Sequence, residues 1–229
     1  MEVMNEAARR GREALSDGEV VARVRAGDLD IFEILMRRYN QRLYRIAWSV
    51  LRNDAQAEDV VQETWVRAFT HLDQFAERAL FSTWLTRIAL HEAWSRARRG
   101  RRFVGMEPGA QGETTVMSDP ISEEGDPESR AAQRETGRAL EVAIGGLPER
   151  YRLVFMLREV EELSTAETAE SLALSEEAVK TRLHRARGLL RRELSGVVPA
   201  RAGVLPFPGA RCDRMVERVL ARIRSLSAG

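Results

Sequence analysis

Apolar residues recur every three or four positions along the first hundred residues of this chain, which is the spacing of amphipathic helices. The longest such stretch covers residues 29–52, and shorter ones cover 16–27, 55–71 and 81–102. Ser16 and Glu19 have the spacing of a capping box for the first helix, and Ser82 or Thr83 is the predicted cap of the last. These elements predict a compact all-helical domain over residues 16–102, preceded by a frayed or weakly helical extension over residues 1–15.

The helical pattern stops after a basic run at residues 96–102. Residues 103–130 are dominated by Gly, Pro, Ser, Thr and acidic side chains, so this stretch cannot bury enough apolar surface to fold on its own. We therefore predict an acidic flexible linker over residues 103–130. Helical spacing resumes at about residue 131, and it predicts a second small all-helical domain over residues 131–194.

The second domain ends in a predicted helix-turn-helix. Ser164 and Glu167 have the spacing of a capping box, and a short helix over residues 165–172 follows. Residues 173–174 form a tight turn, after which Ser175 is the predicted N-cap of a longer helix. A helix, a tight turn and a second helix form the motif whose second helix enters the major groove of DNA.

A helical wheel divides that second helix into two faces. The apolar face consists of Val179, Leu183, Ala186, Leu190 and Leu194. On the opposite, polar face, Lys180 and Arg185 can reach phosphates or guanine edges, and Thr181 can meet a base edge. The alternative interpretation is a helix hairpin in a bundle with a solvated basic face. The caps, the turn length and the basic face together favour DNA binding.

The C-terminal tail, residues 195–229, is rich in Pro and Gly up to residue 209. Beyond that point, apolar residues at helical spacing among arginines predict a short amphipathic helix that packs back on the protein or meets a partner. A loosely ordered tail is the alternative. Cys212 is the only cysteine of the chain, so an intramolecular disulfide is excluded, and we interpret it as an ordinary thiol.

The charges of the chain are nearly balanced but unevenly distributed. Its 229 residues include 36 Lys and Arg against 35 Asp and Glu, a formal net charge of +1. Basic residues cluster at 96–102 and 180–192, and a nucleic-acid-binding protein need not be basic overall if its basic residues share a face. The N-terminus lacks the apolar core of a signal peptide, and no apolar run approaches a membrane span. We therefore expect the protein in the cytoplasm.

Sequence patterns typical of catalysis or metal binding are missing. The three histidines are scattered, and no Cys/His spacing suggests zinc. There is no glycine-rich phosphate loop and no serine in a nucleophile elbow. We therefore expect no metal, no cofactor, no small-molecule substrate and no enzymatic activity.

Three motifs follow one another along the chain, two before the linker and one after it. They are residues 59–68 (DVVQETWVRA), residues 81–89 (FSTWLTRIA), and residues 147–150 (LPER) with 157–159 (LRE) and 179–187 (VKTRLHRAR). In this order they resemble the extracytoplasmic-function (ECF) sigma factors of bacterial RNA polymerase. The resemblance covers roughly residues 18–102 and 140–194. It implies an RNA polymerase sigma factor that directs core polymerase to specific promoters and helps to melt them, initiating transcription of a regulated gene set.

The resemblance also implies roles for individual residues. Docking on the polymerase is expected to involve Asp59, Gln62, Glu63 and Arg67. Binding of the minus-ten element is expected to involve Phe75, Trp84, Arg87 and His91, with Arg98 and Arg99 on the upstream duplex. Reading of the minus-thirty-five element is expected to involve Lys180, Thr181, Arg182, His184 and Arg185, with Arg158 in support. The implied partners are core polymerase, through its β′ and β subunits, and promoter DNA.

Some of these expectations have alternatives. His91 stands where the family commonly has asparagine, so the minus-ten base preference of the family does not carry over, and core packing is the alternative role for Trp84. The sequence does not decide whether an anti-sigma factor holds the protein. Two other classes of protein are weighed against a sigma factor. A stand-alone helix-turn-helix repressor or activator would bind duplex DNA by itself, and a helical adaptor, such as an anti-sigma partner, would bind none.

Overall fold

In a computed structural model, the described part of the chain comprises residues 14–76, 79–103, 127–194, 205 and 207–227. All regular secondary structure in these residues is helical, which confirms the predicted all-α class. The helices are α1 (Asp17–Arg25), α2 (Phe32–Leu51), α3 (Asp54–Thr70), α4 (Phe81–Phe103), α5 (Pro127–Gly146), α6 (Glu149–Phe155), α7 (Thr165–Leu172), α8 (Glu176–Glu193) and α9 (Gly209–Ser227). We call α1–α4 the N-terminal bundle and α5–α8 the C-terminal bundle.

α4 begins at Phe81 as predicted but without the predicted cap, and α5 begins earlier than the sequence predicts. The cap predicted at Ser82 or Thr83 is wrong, because α4 already begins at Phe81 and the N–H groups of Thr83 and Trp84 donate to the carbonyl of Leu80 at 3.0 and 3.1 Å. α5 begins at Pro127, inside the segment predicted as a linker, since proline suits the first turn of a helix. The rest of the predicted linker, residues 104–126, and most of the N-terminal extension, residues 1–13, lie outside the described residues.

The N-terminal bundle is organised around α2, which packs against both α3 and α4. Phe32 of α2 and Trp65 of α3 meet edge to face, with ring centroids 5.4 Å apart, and both are fully buried. The indole N–H of Trp65 donates to the buried side chain of Asn40 at 2.7 Å. The indole of Trp65 therefore has its polar group satisfied inside the core.

Local capping fixes the ends of several helices as predicted. Both capping boxes are present, at Ser16 before α1 and at Ser164 before α7. Between α7 and α8 the chain turns at Ala173, whose φ of 52° is left-handed, and Ser175 then accepts from the N–H of Ala178 and caps α8. The helix-turn-helix geometry therefore follows from short-range signals in the sequence.

The predicted apolar stripe of α8 forms the inner face of that helix. Its buried members are Val179, Leu183, Ala186 and Leu190, while Leu194 is half-buried at the helix end. These side chains pack α8 onto α6 and α7. At its C-terminal end, α6 continues as a π-helical turn over Met156–Val160, which leads towards α7.

The two bundles contact each other closely through charged and polar groups. Glu161, at the end of the π-helical turn, is buried and pairs with Arg42 and Arg45 of α2 at 3.1 and 3.0 Å. On α4, the indole N–H of Trp94 donates to Glu149 of α6 at 3.0 Å. The described residues thus form one body in which the N-terminal and C-terminal bundles share an interface.

Part of this interface is formed by α4 and α7, which carry several buried hydroxyls. Thr83 and Thr86 lie on the side of α4 that also bears Trp94, as helical spacing requires. The buried face of α7 includes Thr168 and Ser171. Within the described residues none of these four hydroxyls has a hydrogen-bond partner.

The C-terminal tail ends in the amphipathic helix predicted for it. This helix, α9, packs back onto α2 and α3 of the N-terminal bundle. Neither α9 nor any other helix in the described part of the chain has the length and apolar content that crossing a bilayer requires.

Candidate nucleic-acid interface

The outer face of α8 presents the predicted groove-reading residues to solvent. Lys180, Thr181, His184 and Arg185 are all exposed, and Arg182 is half-buried at the edge of that face. The face is solvent-accessible because the opposite stripe anchors α8 to the rest of its bundle. Exposed cations with a small hydroxyl on one helix face are the groups that contact phosphates and base edges.

A cavity of about 440 Å³ lies beside the N-terminal half of α8. It is lined by Thr181, Arg182 and Arg185 of α8 together with Arg150 and Tyr151 of α6. Arg185 donates to the hydroxyl of Tyr151 at 3.3 Å, and this hydrogen bond lowers the pKa of Tyr151. Tyr151 therefore orients the arginine that we expect to read a base.

Arg150 and Tyr151 were not among the residues predicted for this surface. Arg150 belongs to the motif LPER over residues 147–150, and this motif is the sequence signal that points to it. Its guanidinium lies 4.7 Å from the centre of the Tyr151 ring. Such stacking places a further cation next to α8.

The predicted supporting contact, Arg158, is set apart from this face. It is half-buried in the π-helical turn, and it donates to the backbone carbonyl of Leu163 just before α7. In this structure Arg158 holds the turn that leads into the helix-turn-helix. Its DNA contact stays a prediction.

Three aromatic side chains cluster at the start of α4. Phe75, Phe81 and Trp84 lie with pairwise ring centroids 5.4–5.6 Å apart. Phe75 and Phe81 are buried, whereas Trp84 is half-buried. In this structure Phe75 therefore packs in the core, and Trp84 is the member of the cluster that reaches the surface.

A second cavity, of about 380 Å³, opens beside Trp84. The structure brings together there three residues predicted for minus-ten binding, Trp84, Arg87 and His91. The rest of the lining is Arg67, His71, Gln74, Ile88 and Glu92. The side chain of His91 is 66% exposed, and its Nδ1 lies 3.2 Å from the buried carboxylate of Glu92. An aromatic face beside donors and acceptors is the arrangement that holds an unstacked base.

Two further predicted residues lie along α4 beyond this cavity. Arg98 and Arg99 are both exposed, towards the C-terminal end of the helix. Arg99 also lines a third cavity, of about 430 Å³, which it shares with α3. Arg98 and Arg99 extend the positive surface of α4 away from the aromatic cluster.

The third cavity contains all four residues predicted to dock on a partner, Asp59, Gln62, Glu63 and Arg67. Their charges are engaged with neighbouring groups. Asp59 pairs with Arg96 of α4, and Arg67 bridges Glu63 at 3.6 Å and Glu92 at 3.0 Å. The outer face of α3 is therefore a polar, ion-paired surface of mixed sign.

Comparisons with known proteins agree with this arrangement of surfaces. Family models match at residues 35–103 (Sigma-70 region 2) and 137–190 (Sigma-70, region 4), and α9 lies outside both ranges. The ECF RNA polymerase sigma factor SigW of Bacillus subtilis is 32% identical over 176 residues, 76% of this chain and 94% of SigW. SigM of Mycobacterium tuberculosis is 32% identical over 186 residues, 80% of this chain and 87% of SigM. The structure of CnrH in complex with the cytosolic domain of CnrY superposes with a TM-score of 0.53 at 27% identity, covering 80% of this chain and 99% of that one.

Proposed function

Because this chain belongs to the ECF sigma factors, which direct bacterial RNA polymerase to promoters and initiate transcription there, we propose that its two bundles divide that task. The N-terminal bundle, within a domain of residues 16–102, binds core polymerase and the minus-ten element and helps to melt it. The C-terminal bundle, within residues 131–194, reads the minus-thirty-five element. The protein acts in the cytoplasm as a non-enzymatic specificity subunit, without a cofactor.

The outer face of α8 is the observation that carries this assignment for the C-terminal bundle. Lys180, Thr181 and Arg185 are exposed on one face of α8. The buried stripe on the opposite face packs the helix against its bundle. Arg185, oriented by Tyr151, is the residue we assign to a base edge, since an arginine guanidinium can pair with guanine through two hydrogen bonds. Lys180, His184 and Arg182 are assigned to phosphates or neighbouring bases.

The cavity beside Trp84 supports the minus-ten assignment. Trp84 offers a ring face, and His91 offers a donor and an acceptor, at the mouth of a space of about 380 Å³. Arg87 lines the same cavity and pairs with Glu170 of α7 at 3.4 Å in this structure. We propose that Arg87 exchanges this carboxylate for a DNA phosphate when the promoter is bound.

The two bundles have to separate on a promoter. The minus-ten and minus-thirty-five elements lie about 25 base pairs apart, which is about 85 Å at 3.4 Å per base pair. Here α4 and α7 touch each other directly, so both elements cannot be bound in this arrangement.

In vitro transcription tests the proposed function. The protein is mixed with bacterial core polymerase and fragments of the source genome, and the RNA 5′ ends are mapped. We expect discrete start sites that require the protein and share two upstream sequence boxes. Start sites that do not depend on the protein, combined with tight binding to duplex DNA in the absence of polymerase, would instead identify a stand-alone regulator.

A further inference from the structure

The apolar face of α9 is buried against the N-terminal bundle. Six residues at helical spacing form this face: Cys212, Met215, Val216, Val219, Leu220 and Ile223. They rest on α2 and α3, the helices that carry the core and the docking face of that bundle. Because α9 lies outside both matched family ranges, its contact with α3 is an addition to the shared sigma-factor core.

The rim of this contact is lined by ion pairs. On α3, Glu63 pairs with Arg222 at 3.0 Å, and Glu58 pairs with Arg211. The rim is closed on the other side by Asp213, which pairs with Arg37 of α2 at 2.6 Å. An apolar stripe flanked by complementary charges defines a specific docking geometry for α9.

One of these pairs lies inside the cavity assigned to polymerase docking. Arg222 lines the same 430 Å³ cavity as Asp59, Gln62, Glu63 and Arg67. We propose that α9 is an intramolecular competitor of core polymerase, which occupies part of the docking face of α3 and has to leave it before the holoenzyme forms. The proposal rests on the proposed function, because it takes the outer face of α3 as the polymerase-docking surface.

The segment just before α9 contacts both bundles, and it therefore couples the position of α9 to the contact between the bundles. The N–H of Leu205 donates to Glu141 of α5 at 2.8 Å, and the carbonyl of Leu205 accepts from Arg45 of α2 at 3.3 Å. The ring of Phe207 packs 5.2 Å from that of Tyr44. Because Leu205 contacts both bundles, release of α9 and separation of the bundles favour each other.

Cys212 provides a direct probe of α9. It is the only cysteine in the sequence, it is buried on the inner face of α9, and its Sγ lies 3.2 Å from the side-chain nitrogen of Asn40. A thiol buried in this way reacts slowly with alkylating reagents, and it becomes reactive when the helix detaches. Its reactivity therefore reports the position of α9 without an added label.

The first test compares the affinities of full-length variants for core polymerase. Arg222→Glu places two carboxylates together at the rim, and Ile223→Asp places a charge in the apolar contact. Arg214→Glu is the matched control, since Arg214 is exposed and lies opposite the apolar stripe of α9 by helical spacing, and no ion pair involves it in the described part of the chain. Thermal unfolding of each variant establishes that the N-terminal bundle stays folded.

We expect both interface variants to bind polymerase more tightly than the parent and the control variant to match the parent. If the detached form is about one tenth of the population, full detachment raises the apparent affinity about tenfold. Equal affinities for all four proteins would overturn the proposal. Because Arg222 lies on the surface, Arg222→Glu keeps the test valid even if Ile223→Asp fails to fold.

The second test measures iodoacetamide labelling of the Cys212 peptide by mass spectrometry, with and without core polymerase. We expect slow labelling of the free protein and at least about tenfold faster labelling in the complex, on the same population argument. Labelling that stays equally slow in the complex would show that α9 remains in place, and it would overturn the proposal.

A separate variant distinguishes failure of this inference from failure of the proposed function. Asp59 lies in the docking cavity, and it pairs with Arg96 rather than with α9. If Asp59→Arg weakens polymerase binding while the α9 variants leave it unchanged, only the competition is wrong. If Asp59→Arg also binds normally, the docking face itself is wrongly assigned.

Discussion

The guanidinium of Arg152 in α6 donates to the backbone carbonyl of Ser49, in the last turn of α2, at 2.7 Å. The same side chain donates to the carbonyls of Gly145 and Leu147, at the end of α5, at 2.8 Å each. Carbonyls in the last turn of a helix lack intrahelical partners and carry partial negative charge. One buried cation thus caps two helix ends, one from each bundle, and joins the bundles at that point.

The charge of Arg152 is retained in this buried position. Burial, and after it the nearby Arg52 cation, lower the pKa of Arg152 to about 10, so the side chain is still protonated at neutral pH. Arg52 itself donates to the carbonyl of Gly145. The oxygen of Gly145 therefore accepts from one arginine of each bundle.

Replacing Arg152 tests how much this junction contributes to stability. Arg152→Ala leaves buried carbonyls without donors, so we expect a loss of about 1–3 kcal/mol in the free energy of unfolding. Arg150→Ala is the matched control, because Arg150 is an exposed arginine on the same helix, and we expect it to change stability by less than about 0.5 kcal/mol. Urea denaturation of both variants measures the difference, and equal midpoints would show that the junction adds nothing.

Arg185 is expected to set promoter discrimination. Arg185→Ala should cost about 1–3 kcal/mol of discrimination at one base pair of the minus-thirty-five element, because a bidentate base contact is lost. Arg185→Lys retains the charge but not the planar fork, so it should lose discrimination while keeping most of the salt dependence of binding. Binding titrations of the holoenzyme against single-base promoter variants measure both. An unchanged base preference in Arg185→Ala would remove this role.

His91 is expected to influence the preferred base of the minus-ten element. His91→Asn alters the geometry of the donor and acceptor beside Trp84, so the preferred base should change. Arg99→Ala, on the same helix, should weaken binding at all promoters without changing the preference, since a phosphate contact carries no sequence information. Promoter profiles from in vitro transcription separate the two effects. Identical profiles for His91→Asn and the parent protein would exclude His91 from base reading.

Glu141 is expected to make stability depend on pH. Burial raises the pKa of its carboxyl above the ordinary value of 4.5, against the opposing hydrogen bond from the N–H of Leu205. For a carboxyl whose pKa is raised on folding, the stability it contributes is fully present below the ordinary pKa and is lost as the pH rises through the folded-state value. Glu141→Gln keeps an acceptor for Leu205 and removes the charge.

We therefore expect Glu141→Gln to gain stability relative to the parent protein as the pH is raised from about 4 to about 7.5. The measurement is the difference in Tm between variant and parent at both pH values. Glu217→Gln, at an exposed position on α9, is the control for a glutamate in water. A Tm difference that stays constant over this range would show that burial does not raise the pKa of the Glu141 carboxyl.

Features set by neighbouring residues could be predicted from the sequence. The capping boxes at Ser16 and Ser164 depend on residues three positions apart, and the two faces of α8 follow from the helical period. The grouping of Asp59, Gln62, Glu63 and Arg67 also follows, because these residues share one side of α3. These predictions need no knowledge of tertiary contacts.

Features set by distant contacts could not be predicted in this way. Phe75 was expected to meet DNA, yet here it is buried because α4 folds back over it and brings Phe81 and Trp84 against its ring. The capping of α2 by Arg152 joins residues about a hundred positions apart, and no local pattern marks it. The cavity beside Trp84 includes His71, which comes close only when the end of α3 meets α4.

The hydroxyls on α4 and α7 bear on how easily the two bundles come apart. A buried hydroxyl without a partner costs about 1–3 kcal/mol relative to one in water, and Thr83, Thr86, Thr168 and Ser171 are all in that position. When the helices part, each hydroxyl can form a hydrogen bond with water. Hydration of these four hydroxyls therefore offsets part of the free energy that is lost when α4 and α7 separate.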